Sequence, residues 1–176
     1  IKGSNLLWKY CPNTKLYKCP TGDPGEVETY SIVDKMAGAA TWGNNDSPSF
    51  MMRMEITRPA IHFVWVDEGA LTFDGWTIPY DPVTSGEGYV HDRIPTRHGK
   101  GANWCYGDGH VAHHKWTTKE MLGGATLSPT GWGLYDQKIE SQGGWICNKD
   151  VLWAEYHAWG QFGYDVDNCG SDDLPN

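Results

Sequence analysis

The stretch Ala102-Asn103-Trp104-Cys105-Tyr106-Gly107-Asp108-Gly109-His110-Val111-Ala112-His113-His114-Lys115-Trp116 decides the fold. Two runs of strand-forming residues flank Asp108-Gly109, a pattern that predicts a β-hairpin closed by a primed two-residue turn. Upstream, Ile61-His62-Phe63-Val64-Trp65-Val66 is an almost continuous β-branched and aromatic run, entered through Arg58-Pro59 and ended by Asp67-Glu68-Gly69. It predicts a central, well-buried strand. Leu71-Thr72-Phe73 and Trp76-Thr77-Ile78, on either side of Asp74-Gly75, predict a second hairpin, and Val27 to Val33 a further strand. Near the start, Leu6 to Tyr10 and Lys15 to Cys19 are each stopped by Cys-Pro. Proline biases the residue before it toward extended backbone, so these pieces read as a helical turn and a short strand. Downstream, Thr117 to Leu122 predicts a helical turn and Asp150 to Trp159 a short amphipathic helix. Ala37 to Ser49 and Tyr80 to Pro95 read as loops.

A chain of 176 residues builds one core of ordinary size and does not need two full domains. The expected class is α+β, an antiparallel sheet with long ordered loops. Residues 1–122 form a β-rich head, and the Gly- and Trp-rich residues 123–176 form a C-terminal extension packed on it. Ten Trp and nine Tyr against four Phe, with 22 Gly and ten Pro, point to short strands and structured loops and not to a helical bundle. The net charge of −8 repels phosphate backbones, which argues against nucleic acid as a partner and leaves divalent cations and basic surfaces. No segment is long and apolar enough to span a bilayer, and Ile1 to Tyr10 lack the pattern of a signal peptide. An export signal, if the protein has one, is expected outside this sequence.

Five cysteines in a chain of this size suggest an oxidising compartment. Joining Cys147 to Cys169 constrains a loop of about 20 residues, worth roughly 3 kcal/mol in the chain-entropy model, and is the preferred bridge. Cys11 and Cys19 bracket a short turn and are the second candidate pair. Cys105 is then left in an aromatic strand, buried and inert.

Arg97-His98-Gly99, Gly101-Ala102-Asn103 and Tyr106-Gly107-Asp108-Gly109-His110-Val111 place nine residues between His98 and Asp108-Gly109. This arrangement resembles the prepilin-type processing-associated domain of planctomycete-type bacteria, a family named for that spacing. Leu7-Trp8-Lys9-Tyr10, Lys18-Cys19-Pro20, Arg58-Pro59-Ala60, Phe63-Val64-Trp65-Val66-Asp67-Glu68 and Trp116 resemble its other short motifs in the family's usual order, so the likeness covers residues 6 to 120. It implies a head built like that of type IV pilins or type II secretion pseudopilins. In such proteins a hydrophobic N-terminal helix anchors the precursor and later packs in a filament. That helix is absent from these 176 residues, so membrane contact is expected only through a segment outside them. The implied function is a non-enzymatic structural subunit of a filament, secretion apparatus or cell-surface assembly. It would be extracellular or in the cell envelope, with copies of itself as partners.

The motif residues His98, Asp108, Gly109 and His110 carry a structural reading, a hairpin tied to the preceding loop. They also carry a chemical one, in which Asp67, Glu68, His98, Asp108 and His110 converge as a divalent metal site. A metal-dependent hydrolase using His98, Asp108, His110 and Glu68 is the least favoured extension of that idea. His113 and His114 are strand neighbours and should point to opposite faces, while His62 reads as a hydrogen-bonded core residue. The tail Asp165-Val166-Asp167-Asn168-Cys169-Gly170-Ser171-Asp172-Asp173 spaces its acids like the start of a calcium loop, with Asp165, Asp167, Asp172 and Asp173 as ligands. Cys169 sits at a usual ligand position and no Glu closes the loop. Trp132, Trp145, Trp153 and Trp159 either cover the sheet and build an interface or stack on sugar rings. The second option would make the chain a secreted carbohydrate-binding module that recognises glycans.

Overall fold

The computed structural model describes residues 6–37, 50, 53–68, 75–80, 92, 94–124 and 147–175. Four strands form one antiparallel sheet in sequence order: β1 Tyr30–Ile32, β2 Phe63–Asp67, β3 Gly101–Tyr106 and β4 Val111–Lys115. Among the described residues the helices are α1 Asp34–Ala37, α2 Lys119–Gly124 and α3 Lys149–Trp159, with 3-10 turns at Leu6–Lys9, Thr14–Tyr17 and Arg53–Glu55. The architecture is a small mixed α+β domain.

Strand β3 alternates as the pleat requires. Ala102, Trp104 and Tyr106 are buried on one face, and Asn103 and Cys105 lie on the other. On β2 a register irregularity between Phe63 and Trp65 interrupts the alternation, and Phe63 and Val66 join the buried face. Helix α3 packs on that face. Its Val151, Ala154, Ala158 and Trp159 belong to the same hydrophobic cluster as Phe63, Val66, Trp76 and Trp104. Helix α3 and the sheet therefore share one hydrophobic cluster.

Both ends of α3 are secured. The Asn148 side chain accepts the N–H groups of Asp150 and Val151, and Gly160 closes the helix with φ 78, its N–H bonded to the Tyr156 carbonyl. The buried Lys35 ammonium donates to the Trp159 carbonyl, where a cation meets the negative end of the helix dipole. Burial, helped by the nearby Arg58 charge, draws the Lys35 pKa down to about 8. Asp150 joins α3 to the chain after β4. It accepts the N–H groups of Thr117 and Thr118 at 2.7 Å each and the Thr118 hydroxyl at 2.8 Å. Burial alone would raise its pKa, but the His114 imidazole 3.6 Å away and the hydrogen bonds from the two threonines outweigh that and hold the carboxyl well below the usual range. Asp150→Asn is expected to cost about 2 kcal/mol at neutral pH. A depressed carboxylate stabilises fully above its unfolded value, near about 3.9, and loses that contribution as pH falls toward the folded value. The gap between wild type and variant in urea midpoint should therefore narrow below about pH 4.

A disulfide joins Cys147, next to the α3 cap, to Cys169 in the tail. Cys147→Ser with Cys169→Ser should lower stability by about 3 kcal/mol, read as a denaturant-midpoint shift matching that of the reduced wild type. The second expected bridge is not formed: Cys11 is exposed and free, and Cys19 is buried and free. Cys105 is free and half-buried, its thiol pushed up by burial.

Two local expectations are corrected. The β3–β4 connection is not a primed turn. The Gly109 N–H bonds the Tyr106 carbonyl and the Tyr106 N–H bonds the His110 carbonyl, with only Gly109 at positive φ (94). That is a three-residue loop whose glycine takes the left-handed position, a geometry Asp-Gly serves equally well. Thr14–Tyr17 is a 3-10 turn and not a strand, because Asn13 caps it by accepting the Lys15 N–H at 3.1 Å. The proposed 71–78 hairpin lies mostly outside the described residues. Its second half, through Trp76, forms a parallel bridge with Val33.

Candidate functional site

The one group of three potential metal-ligating side chains among the described residues is Cys19, Asp67 and His98. Each comes from a different part of the chain. Asp67 ends β2, and its pairing with Tyr30 fixes it at the sheet margin, where its side chain is 1% exposed. His98 sits in the turn before β3, its N–H bonded to the Gly101 carbonyl and its own carbonyl accepting from His113 Nε2 at 2.8 Å. Cys19 is delivered by the N-terminal segment. Its N–H donates to Thr29 Oγ1 at 2.7 Å, and Thr21 Oγ1 lies 3.0 Å from its sulfur.

His98 Nε2 lies 2.8 Å from Asp67 Oδ2 and 3.5 Å from Cys19 Sγ. Both contacts use the same ring nitrogen. A cysteine nucleophile needs thiol and carboxylate on opposite nitrogens of the imidazole, so this is not a catalytic triad. Beside the group, Arg97 makes two 3.0 Å bonds to Glu26 and stands 3.7 Å from Asp67 Oδ1. Burial works to raise the Glu26 pKa, but the bonds from Arg97 and the Asp23 backbone bring it below the ordinary range.

The five-residue metal grouping expected from the sequence does not assemble. Asp67 and His98 meet, but Glu68 accepts the Ser31 hydroxyl, as a strand neighbour facing the other way must do. Asp108 and His110 occupy the far end of the hairpin, where the Asp108 N–H bonds the Pro59 carbonyl ahead of β2. There Asp108 Oδ1 accepts the His110 backbone N–H at 3.0 Å and meets His110 Nδ1 at 2.7 Å, and the imidazole stacks on Tyr106. These contacts stabilise the turn, but the His98 ring takes no part in them: it meets Asp67 and Cys19 instead, so the expected tie from His98 to the turn is corrected. The set His98, Asp108, His110 and Glu68 shares no common centre that could activate a water. Compared with known proteins, the chain matches no family model, no curated protein and no solved structure.

The acidic tail stays open. Asp165 accepts the Asp167 N–H at 2.8 Å in a local turn. Asp172 and Asp173 instead border a separate cavity of about 410 Å³ with His114, Asp150, Trp153 and His157. No three ligand atoms of the four tail acids approach as closely as those of Cys19, Asp67 and His98. His113 and His114 do point apart, His113 exposed and His114 stacked on Trp153 at 3.4 Å. His62 is buried against the end of α3. Burial, aided by Lys35 and Arg58, draws its pKa down to about 4, so the ring is neutral.

Of the two readings of the four tryptophans, packing on the sheet is the one that Trp153 and Trp159 follow. Trp159 is core, with its Nε1 donating to the Ile78 carbonyl at 2.9 Å. Trp153 is half-buried among Phe63, Trp104, Trp116 and His157, with one face covered by His114. Trp132 and Trp145 lie outside the described residues. What sequence reasoning missed was the approach of Cys19 to Asp67 and His98, and the only signal for it was its place in the Lys18-Cys19-Pro20 motif.

Proposed function

We propose that this chain is the head of a pilin-like or pseudopilin-like structural subunit, working outside the cytoplasm in a filament, secretion apparatus or surface assembly. One observation carries the reading. Motif pieces scattered over residues 6 to 120 supply strands of one sheet or the turns that border it. Arg58-Pro59-Ala60 receives the tip of the hairpin, Asp67 at the end of β2 takes His98, and Asp108-Gly109 makes the turn. Motifs spent on holding a scaffold suit a protein that presents a surface and turns nothing over. The intact Cys147–Cys169 bridge agrees with an oxidising compartment. A glycan-binding module has less support, because Trp159 is buried and Trp153 is already stacked.

Negative-stain electron microscopy of the protein isolated from its source, with whatever N-terminal segment it carries there, tests the proposal. Filaments or ordered arrays that vanish when the chain is cut back to these 176 residues are the expected result. Dispersed particles before and after cutting would reject it, and glycan arrays would then be the next measurement.

A further inference from the structure

We propose that Cys19, Asp67 and His98 bind a borderline-soft divalent cation, with Zn²⁺ the first choice, clamping the N-terminal segment to the margin of the sheet. The three ligand atoms all lie within 4.8 Å of one another. Zinc bonds of about 2.3 Å to sulfur and about 2.0–2.2 Å to nitrogen and oxygen, set tetrahedrally, separate sulfur from nitrogen by about 3.5 Å and nitrogen from oxygen by about 3.4 Å. The observed Sγ–Nε2 spacing of 3.5 Å is therefore already that of a ligand pair. The Nε2–Oδ2 pair, now at hydrogen-bond distance, needs to open by roughly half an ångström.

The donor set selects the ion. Thiolate, imidazole and carboxylate suit zinc, whereas calcium and magnesium prefer all-oxygen shells. Charge agrees as well: a dication offsets one thiolate and one carboxylate, while Arg97 makes its two 3.0 Å bonds to Glu26 and reaches Asp67 only at 3.7 Å. Asp67 Oδ1 is buried with no hydrogen-bond partner, the Arg97 guanidinium standing 3.7 Å away. A carboxylate this enclosed is under-satisfied unless it coordinates a cation. All three residues line one cavity of about 360 Å³, which has room for a water as fourth ligand. On binding, the thiol proton leaves to solvent and the Sγ lone pair goes to the metal.

The test uses the full chain with Cys11→Ser and Cys105→Ser, so that Cys19 is its one free thiol and the Cys147–Cys169 bridge is kept. After chelator treatment it is titrated with Co²⁺ and then Zn²⁺. One equivalent of Co²⁺ should produce a thiolate-to-cobalt charge-transfer band in the near ultraviolet. Zn²⁺ should abolish that band and raise the melting temperature. Adding Cys19→Ser should erase the band, and His98→Ala should weaken Zn²⁺ more than about 100-fold, beyond the loss typical of an outer-shell partner. No band at saturating Co²⁺ overturns the proposal, as does a band that survives Cys19→Ser. The titration of the parent chain decides the matter even where a variant folds poorly.

Discussion

A chain ended after residue 146 is expected to lose its cooperative unfolding transition altogether. Helix α3 contributes Val151, Leu152 and Trp159 to the interior along with Ala154 and Ala158. Fully burying one large apolar side chain is worth roughly 1.5–3 kcal/mol. Three of them, with the alanines, approach the roughly 5–15 kcal/mol that holds a whole domain together. Removal would also strip Asp150 from Thr117 and Thr118 and uncover the faces of Phe63 and Trp104. Near-ultraviolet circular dichroism, sensitive in a Trp-rich chain, should go flat, and a hydrophobic dye should bind. A truncated protein that keeps a sharp thermal transition would show residues 1–146 to be self-sufficient.

The second large effect is expected at Trp104. The indole is fully buried, stacked on Phe63 at 4.1 Å and edge-on to Trp76, Trp116 and Trp153. Trp104→Ala leaves a cavity at the centre of this cluster and should cost about 3–5 kcal/mol. Trp104→Phe should cost much less, because the Trp104 Nε1–H has no hydrogen-bond partner to lose. Trp116 differs: its Nε1 donates to the buried Pro95 carbonyl at 2.7 Å. Trp116→Phe leaves that carbonyl unpaired, adding a penalty of about 1–3 kcal/mol. Urea midpoints of the three variants should rank Trp104→Phe most stable, then Trp116→Phe, then Trp104→Ala. Equal losses for the two phenylalanine variants would refute the hydrogen-bond argument.

The sheet was legible where alternation was strong. Residues 102–106 and 61–66 announce strands, and α3 follows from its apolar spacing, whereas its cap, Asn148, is seen only in the structure. The turn between β3 and β4 was not legible in detail, since Asp-Gly fits two loop lengths and the choice depends on how Gly107 pairs across to His62. At Thr14–Tyr17 a local cap overrode the extended bias of the residues before Cys-Pro. Asp67 and His98 were expected in one site, but the third member of the Cys19, Asp67 and His98 group was invisible for a different reason. The group's members stand 48 and 31 residues apart, and only the pairing of β1, β2 and β3 brings them together. Whether Trp153 and Trp159 face solvent was equally beyond the sequence, because an amphipathic helix does not reveal what covers its apolar side.

The order in which the chain is made gives α3 a further consequence. A ribosome finishes all four strands well before it supplies the helix that covers them. Roughly 40 residues separate Trp116 from Trp159, which at about 5–20 residues per second takes a few seconds of synthesis. Through that interval the indoles of Trp76, Trp104 and Trp116 have no lid, and the nascent sheet presents them to any passing chaperone or aggregating neighbour. Helix α3 thus acts as a latch, closing over the indoles only once it has been made.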